Sequence, residues 1–165
     1  MNPLHNITPE EGQRYFIDPV PHHRALGMRY VDSGIGRVVF EVPWAPHLVG
    51  DPDTGVVHGG VLTASFDAAL GGSVISKMPT LCRIVTLDLR IDYLRPARPQ
   101  QTIRIEAECN RLAKQVAFAR GIAHDGDAGD LIATATGTFM LFVDDSGSHV
   151  PSGIVSAALA GGRAT

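Results

Sequence analysis

The sequence predicts an α+β fold in which one long central helix is wrapped by a curved antiparallel sheet. The helix is predicted from residues 58–76, which carry a single formal charge and many very small side chains, a composition typical of a helix covered on nearly all sides. The sheet is predicted from two strand-like segments before this helix and four after it. Successive strands joined by short turns favour antiparallel pairing, and the helix gives them a layer on which to pack.

Size and composition restrict the class of protein. The chain has 165 residues, of which 44% are hydrophobic and 19% charged, so we expect one globular domain and exclude disordered and collagenous classes. The net charge is −3 without a basic run, which argues against nucleic acid or a membrane as a partner. Cys82 and Cys109 stand apart without zinc-site spacing, and we predict no metal and no cofactor. The N-terminus lacks a secretory signal pattern, which predicts a cytoplasmic protein.

The chain divides into three parts. Residues 1–19 form a helical segment, with a helix from Pro9 to about Ile17 that Thr8 caps. Residues 20–143 form the main domain, and residues 144–165 read as a loose tail. Strands at 29–33 and 37–42 are joined by a tight turn at 34–36, and the density of Pro and Gly predicts a loop without regular elements at 43–55.

The four later strands are predicted from alternation and turn signals. Residues 86–93 alternate apolar and polar side chains without a break, which predicts one buried and one polar face. Residues 103–109 alternate in the same way. Residues 115–124 and 130–142 form the last two strands, joined by the turn string at 125–129.

Asp67 is the first candidate for chemistry. It is the only charge in the predicted core helix, and a carboxylate in an apolar environment is costly unless it is paired or hydrogen-bonded. The sequence leaves two interpretations open. Asp67 is a catalytic carboxylate, or it forms an ion pair with a strand arginine, for which Arg83 and Arg90 are available.

The second candidate is His58-Gly59-Gly60, directly before the helix. The first turn of a helix presents unpaired backbone N–H groups, and glycine lets a ligand atom approach them closely, so this segment could polarise a carbonyl oxygen. The alternative is that it merely turns the chain into the helix. Neither a lone histidine nor a pair of glycines is specific.

Helix geometry relates the two candidates. Gly60 and Asp67 are seven residues apart, so they lie on nearly the same helix face with a rise of ~10 Å between them. One helix cannot place both on one carbonyl group. If both act on the same substrate atom, we expect a homodimer in which each site takes the helix start of one protomer and the aspartate of the other.

Three segments together resemble a known family. They are Gly55-Val56-Val57-His58-Gly59-Gly60, then Asp67, then the strand from Thr86 to Tyr93 followed by Leu94-Arg95-Pro96. In this order and spacing the sequence resembles the hotdog-fold acyl-CoA thioesterases of the phenylacetate-degradation (PaaI-like) type, relatives of 4-hydroxybenzoyl-CoA thioesterase.

The resemblance implies a dimer with two sites at its interface, and it leaves open whether dimers pair into tetramers. It implies that Asp67 attacks the thioester carbonyl or activates a water molecule. It further implies that the amide of Gly59, with Gly60 and the preceding His58, polarises the carbonyl oxygen, and that Thr86 helps to hold the water. The expected reaction is hydrolysis of an acyl-CoA, or a related acyl thioester, to the free acid and thiol.

One departure keeps other functions open. Several relatives carry an asparagine six residues before the histidine, whereas this chain has Pro52, which has neither a side-chain donor nor an N–H. A non-catalytic acyl-CoA-binding protein is therefore one alternative. A hotdog dehydratase or hydratase is another, although His58 and Asp67 are nine residues apart and lie on opposite helix faces.

Further residues are expected to bind the substrate. Arg95 and Arg98 flank Pro96 where a strand leaves the sheet, and the resemblance implies that this edge lies near the nucleotide. Guanidinium groups bind phosphate well, so we expect both near the CoA phosphates. The alternative is that both are ordinary solvated charges. The residues that could line the acyl site are Phe66, Leu70, Tyr93 and Leu94.

Overall fold

A computed structural model describes Asn2, Leu4 and residues 7–142. The predicted tail at 144–165 lies outside the described residues. The helices are α1 (Pro9–Gly12), continued by a π-helical turn (Gln13–Ile17), α2 (Pro21–Ala25), a 3-10 turn (Pro46–Leu48) and α3 (Gly59–Lys77). The strands are β1 (Arg29–Gly34), β2 (Arg37–Val42), β3 (Val49–Asp51), β4 (Val56–Val57), β5 (Ile84–Tyr93), β6 (Ile103–Leu112), β7 (Val116–His124) and β8 (Ala133–Leu141).

Six strands form one antiparallel sheet in the order β1-β2-β6-β7-β8-β5, and β3 pairs with β4 separately. The sheet curves around α3, which confirms the predicted α+β architecture with a central helix. Alternate residues of β6, β7 and β8 face the helix and are buried. Close approach requires small residues, because a Cβ at Gly121 would lie 3.3 Å from the Phe66 ring and one at Gly137 only 3.1 Å from Leu70.

The helix α3 is less covered than the sequence predicts. Its small and apolar residues pack into the core, and Gly72 sits against the rings of Phe16 and Phe40. Gly60, Thr63 and Asp67, however, are exposed along one side. The small residues of α3 indicate how closely neighbours can approach the helix, and they do not show that every face is covered. Within a single chain the curved sheet leaves this face open.

Strand β5 differs from its prediction in the same region. It begins two residues earlier, at Ile84, and none of its ten residues is buried. The strand lies at the edge of the sheet beside β8, with a bulge at Leu87 that leaves this side chain 52% exposed. Leu89 and Ile91 pack against the core but are only half-buried. The alternation assigned the faces correctly from Asp88 to Tyr93, whereas the bulge places Thr86 on the side of the helix, and that side lacks a full cover.

The segment predicted as a plain loop contains short regular elements. Val49 pairs with Val57, which makes the two-stranded ribbon of β3 and β4. Gly50 allows this ribbon to form, because a Cβ there would meet the His58 backbone at 2.7 Å. Gly55 closes the turn with a φ of 75°. The ribbon leads the chain directly into the start of α3.

The N-terminal helix is confirmed from Pro9 to Ile17. Thr8 caps it in a capping box with Glu11, whose backbone N–H donates to Thr8 Oγ1 at 3.2 Å.

The C-terminal end of α3 is bound by Asn2, from the start of the sequence. The Asn2 side-chain amide donates at 2.8 Å to the carbonyl groups of both Ile75 and Met78. Among the described residues, no helix is long and apolar enough to cross a membrane.

Candidate active site

The start of α3 is built around His58. This residue is the N-cap, and its Nδ1 accepts a hydrogen bond from the Gly60 N–H at 2.9 Å. Its carbonyl oxygen accepts from the Val61 N–H at 2.9 Å. The Gly60 amide therefore already has a partner in this chain, which differs from the expectation that it helps to polarise a substrate. The Gly59 N–H belongs to the first turn, where amides have no intrahelical acceptor.

Asp67 lies two turns further along the exposed side of α3. Its Oδ1 accepts a hydrogen bond of 2.7 Å from the hydroxyl of Thr86 on β5. The alternative ion pairs are absent among the described residues, since Arg90 pairs with Asp92 at 3.0 Å and Arg83 stacks on Phe142. The sequence expected a buried carboxylate. The structure places Asp67 on the surface, held by one neutral donor, which leaves its remaining acceptor sites open.

A hydrogen-bonded group at the helix start was missed by the sequence analysis. The Tyr93 hydroxyl donates to the Gly59 carbonyl oxygen at 3.1 Å and lies 2.9 Å from the Thr63 hydroxyl. Thr63 Oγ1 is also 3.3 Å from the same carbonyl oxygen. The spacing of Gly59 and Thr63, one helical turn apart, was a signal for the Thr63 contact. The pairing with Tyr93 required knowledge of how β5 crosses the helix.

Arg95 and Arg98 have aspartate partners in the structure. Arg95 Nη2 lies 2.7 Å from the fully buried carboxylate of Asp125 and Arg95 Nε lies 2.9 Å from Asp130. Arg98 contacts the same two aspartates at 2.8 and 2.6 Å. We call these four residues the arginine-aspartate cluster. It joins the segment after β5 to the turn between β7 and β8, and its formal charges cancel.

The cluster changes the ionisation of its members. The hydrogen bonds from Arg95, followed by the contacts of Arg98, lower the pKa of Asp125 to about 2. The Asp125 bonds in turn hold the pKa of Arg95 above its usual range. Both arginines thus have carboxylate partners within this chain, and their expected contact with the CoA phosphates stays a prediction. The structure assigns them to the frame that supports the end of β5.

The predicted acyl-lining residues fall into two groups. Phe66 and Leu70 are both fully buried in the core, against Gly121 and Gly137, and do not reach the surface of this chain. Tyr93 and Leu94 are 52% and 58% exposed beside the helix start. The first pair lies on the core-facing side of α3, whereas Asp67 lies on the open side.

Pro52 lies in the exposed turn between β3 and β4. The neighbouring Asp51 accepts a hydrogen bond of 2.6 Å from the Thr54 hydroxyl, which lowers the pKa of the Asp51 carboxyl. An ionised carboxylate accepts hydrogen bonds and cannot donate them. Neither residue thus supplies the donor that an asparagine would supply at this turn.

A cavity of about 450 Å³ borders the start of α3 on the side of α2 and the 3-10 turn. His58, Gly60 and Val61 form its inner wall. The residues that complete the lining are His22, Ala25, Leu26, His47, Leu48 and Val49. The first turn of α3 is therefore open to a ligand from this side.

A long helix inside a curved antiparallel sheet, with His-Gly-Gly at its start and a carboxylate two turns later, defines a thioesterase of the hotdog fold. The family model of the thioesterase superfamily matches residues 54–132, which include the His-Gly-Gly segment, Asp67 and Thr86. The chain belongs to this superfamily and is a thioesterase.

Named relatives and solved structures agree with this assignment. The chain is 33% identical over 142 residues to the medium/long-chain acyl-CoA thioesterase YigI of Escherichia coli, covering 76% of this chain and 88% of the relative. A crystal structure from Pseudomonas aeruginosa is 35% identical, covers 80% of this chain and 97% of its own, and has a TM-score of 0.71. The phenylacetic acid degradation protein PaaI of Thermus thermophilus, solved as a mutant, is 27% identical, covers 74% of this chain and 100% of its own, and has a TM-score of 0.65.

Proposed function

We propose that the protein hydrolyses acyl-CoA thioesters to a free acid and CoA. The observation that carries the proposal is the Asp67 carboxylate, exposed on the open face of α3 and held by Thr86 at 2.7 Å. A carboxylate with one neutral partner retains its charge and its free lone pairs for chemistry. The names of the curated relatives support CoA as the thiol part of the substrate.

Asp67 acts in one of two ways. As a nucleophile it attacks the carbonyl carbon, CoA leaves as thiolate, and water then hydrolyses the resulting anhydride. As a general base it takes a proton from water, the hydroxide equivalent attacks the same carbon, and CoA leaves as thiolate and takes up that proton. In both routes water supplies the oxygen of the acid and the proton of the thiol. The Thr86 hydroxyl fixes the direction of the carboxylate.

The Gly59 N–H donates to the carbonyl oxygen of the substrate. A backbone donor at a helix start is aligned with the positive end of the helix dipole, so it stabilises the negative charge that develops on this oxygen. His58 supports this role, because its bond to Gly60 holds the first turn in place. We therefore assign His58 to orientation of the helix start.

Each site requires two protomers. Gly59 and Asp67 lie on the same helix about 12 Å apart along its axis, too far to meet at one carbonyl group. The open face of α3 and the partly exposed β5 lie together, and β5 presents apolar side chains there. A second copy placed over this surface would bury these side chains and bring its Asp67 to the Gly59 of the first. We propose a homodimer with two shared sites.

The acyl part is a medium or long aliphatic chain. The name of the Escherichia coli relative supports this class. The exposed apolar side chains beside the helix start also favour it, since Leu87, Tyr93 and Leu94 would contact an aliphatic chain at the dimer interface. Phe66 and Leu70 lie beneath this surface, on its core side.

The test uses two inactive variants with different defects. Asp67→Ala removes the carboxylate, and Gly59→Pro removes the N–H at a position where proline suits the first helical turn. A Cβ at Gly59 would lie in ordinary van der Waals contact, 3.5 Å from the Tyr93 ring. Each variant alone is expected to release thiol from decanoyl-CoA at least ~100-fold more slowly than the parent.

Mixing the two variants is expected to restore activity. After subunit exchange about half of the dimers are heterodimers, each with one intact site, so recovery approaches about a quarter of the parent activity per site. Size and circular dichroism must first show that both variants fold and exchange. Verified heterodimers without activity would show that each site lies within a single chain.

The alternative that Pro52 left open, a non-catalytic acyl-CoA-binding protein, disagrees with the assignment to the thioesterases. It predicts that the parent protein binds decanoyl-CoA, measured by calorimetry, and releases no thiol from a panel of acyl-CoAs. Thiol release that depends on Asp67 would exclude it.

A further inference from the structure

The peptide group between Gly59 and Gly60 is held from both sides by side chains. On its carbonyl side, Tyr93 Oη donates at 3.1 Å and Thr63 Oγ1 lies at 3.3 Å. On its amide side, the N–H donates to His58 Nδ1 at 2.9 Å. Three residues from the N-cap, the helix and a separate strand thus contact one peptide of a glycine pair.

This peptide needs such support. Glycine has more backbone freedom than any other residue, and the first turn of a helix lacks amide acceptors. The direction of the Gly59 N–H changes with rotation about the backbone bonds of Gly59. The hydrogen bonds that fix the peptide between Gly59 and Gly60 restrict this rotation, because that peptide directly follows the backbone bonds of Gly59. The Tyr93 ring adds a steric limit, since it lies 3.5 Å from the Cβ position of Gly59.

We propose that Tyr93 is a positioning residue that, together with Thr63, fixes the Gly59 N–H in the direction required by the substrate carbonyl oxygen. The proposal rests on the proposed function, in which this N–H is the oxyanion donor. Tyr93 acts through the Gly59 carbonyl group and does not contact the reacting atoms.

The hydroxyl groups form a chain. Either hydroxyl can be the donor in the 2.9 Å contact between Tyr93 and Thr63, and each has one proton, so when one of them donates to the Gly59 carbonyl oxygen the other can donate to its neighbour. Hydrogen bonds in series polarise one another, and a polarised Gly59 carbonyl strengthens donation by the Gly60 N–H to His58. The whole peptide is therefore held more firmly than by any one contact.

One strand therefore positions both parts that a protomer contributes to the sites, the helix start and Asp67. Tyr93 is the last residue of β5 and holds the helix start, whereas Thr86 lies seven residues earlier and holds Asp67. In the proposed dimer these two halves serve different sites. A displacement of β5 would then affect both sites of the dimer.

The first test is Tyr93→Phe, which removes the oxygen and keeps the ring. We expect kcat for decanoyl-CoA to fall roughly three- to tenfold, as for the loss of one hydrogen bond, with KM within about twofold of the parent. The matched control is Tyr30→Phe, because the Tyr30 hydroxyl bonds to Ser33 at the opposite edge of the sheet. The control should leave kcat unchanged.

Substitutions of Thr63 test the chain of hydroxyl groups. Thr63→Val is expected to lower kcat by a few fold, whereas Thr63→Ser keeps the hydroxyl and should restore it. The combination of Thr63→Val with Tyr93→Phe should lower kcat by less than the product of the single effects, since both act on one peptide. A fall in thermal midpoint that accompanies the loss of kcat would indicate a merely structural role and overturn the proposal.

An activity-independent readout separates this proposal from the proposed function. In ¹⁵N–¹H spectra, Tyr93→Phe should shift the amide resonance of Gly59 and speed hydrogen exchange at Gly60, whereas Tyr30→Phe should change neither. These changes are expected even if the protein releases no thiol. Unchanged Gly59 and Gly60 amides in the Tyr93→Phe protein would overturn the proposal, whatever the activity.

Discussion

The arginine-aspartate cluster and the open face of α3 both adjoin strand β5, but their polar groups differ in how they are satisfied. In the cluster, two guanidinium groups meet two carboxylates through contacts of 2.6 to 2.9 Å, and the carboxylate of Asp125 is fully buried. On the helix face, Asp67 and the Gly59 carbonyl are contacted by neutral hydroxyl groups and remain exposed or half-exposed.

The difference separates charges that support the fold from charges available for chemistry. The cluster contains more charge and was the more conspicuous feature of the strand end, yet its groups neutralise one another. Asp67 forms no ion pair with an arginine or lysine among the described residues, and its neutral donor fixes it without removing its charge. In this chain a single held carboxylate is the better candidate for catalysis than a dense group of charges.

Asp67→Asn removes the one charge of the open helix face and is expected to have the largest effect on activity. The amide keeps the size of the side chain and can still accept from Thr86, but it is neither an effective base nor a nucleophile. We expect kcat for decanoyl-CoA to fall at least ~100-fold, while the thermal midpoint stays close to that of the parent. Thiol release and calorimetry measure the two effects.

The matched control for this prediction is Asp88→Asn, an exposed carboxylate on the opposite face of β5. It should leave both quantities unchanged. Near-parent turnover in the Asp67→Asn protein would remove Asp67 from the mechanism and leave the open face without a catalytic group.

Asp125→Asn is expected to lower the stability of the fold and to leave the activity unchanged. It removes one of the two carboxylates that contact Arg95 and Arg98 and leaves them Asp130 alone, and loss of one member of a buried ionic group costs about 3 kcal/mol of unfolding free energy. For a chain of this size we expect the thermal midpoint to fall by roughly 10 °C, with kcat unchanged well below it. Asp127→Asn, in the same turn but exposed, is the control and should cost less than about 1 kcal/mol.

The stability of the same variant, measured against the parent at several pH values, tests the ionisation of Asp125. The pKa of Asp125 is about 2 in the folded protein and near 3.8 unfolded. Ionisation therefore stabilises the fold fully above the unfolded pKa, and this contribution, about 2 kcal/mol, is lost as the pH falls through the folded pKa. The difference between parent and Asp125→Asn in urea unfolding should thus shrink from pH 5 towards pH 2. A constant difference would contradict the role of its ionisation.

Thr86→Val gives the smallest expected effect. Valine matches threonine in shape but lacks the hydroxyl that donates to Asp67. We expect kcat to fall roughly three- to tenfold, because the carboxylate keeps its charge but loses its fixed direction. The control is Thr136→Val, on the exposed side of β8. An unchanged kcat would show that Asp67 needs no orienting donor.

The sequence predicted the elements better than their surroundings. The alternation at 103–109 and the turn string at 125–129 indicated strands whose faces the structure confirms. The alternation at 86–93 assigned residues to faces correctly from Asp88 onwards, but the bulge at Leu87 brings Thr86 to the face of the helix, and the predicted burial of one face was wrong. A periodic pattern shows which side chains share a face, whereas cover depends on the position of the strand in the sheet, and β5 lies at its edge.

The residues of the candidate site were found from local motifs, but several partners were not. Asp67 was identified as the only charge of the core helix and Thr86 through the resemblance, and the two lie within hydrogen-bond distance. The partners of Arg95 are 30 and 35 residues away, and Tyr93 meets Gly59 across 34 residues. Such contacts depend on strand order, which no local pattern of this sequence specifies. Local signals named the groups, and topology determined what satisfies them.

The contact of Asn2 with the far end of α3 has a consequence for the order of events during synthesis. The carbonyl groups that it binds belong to Ile75 and Met78, which are translated more than seventy residues later. Asn2 therefore cannot make these contacts until the central helix has emerged from the ribosome. A bulky group attached next to Asn2 would interfere with this late contact, although Asn2 lies far along the chain from the helix end that it binds.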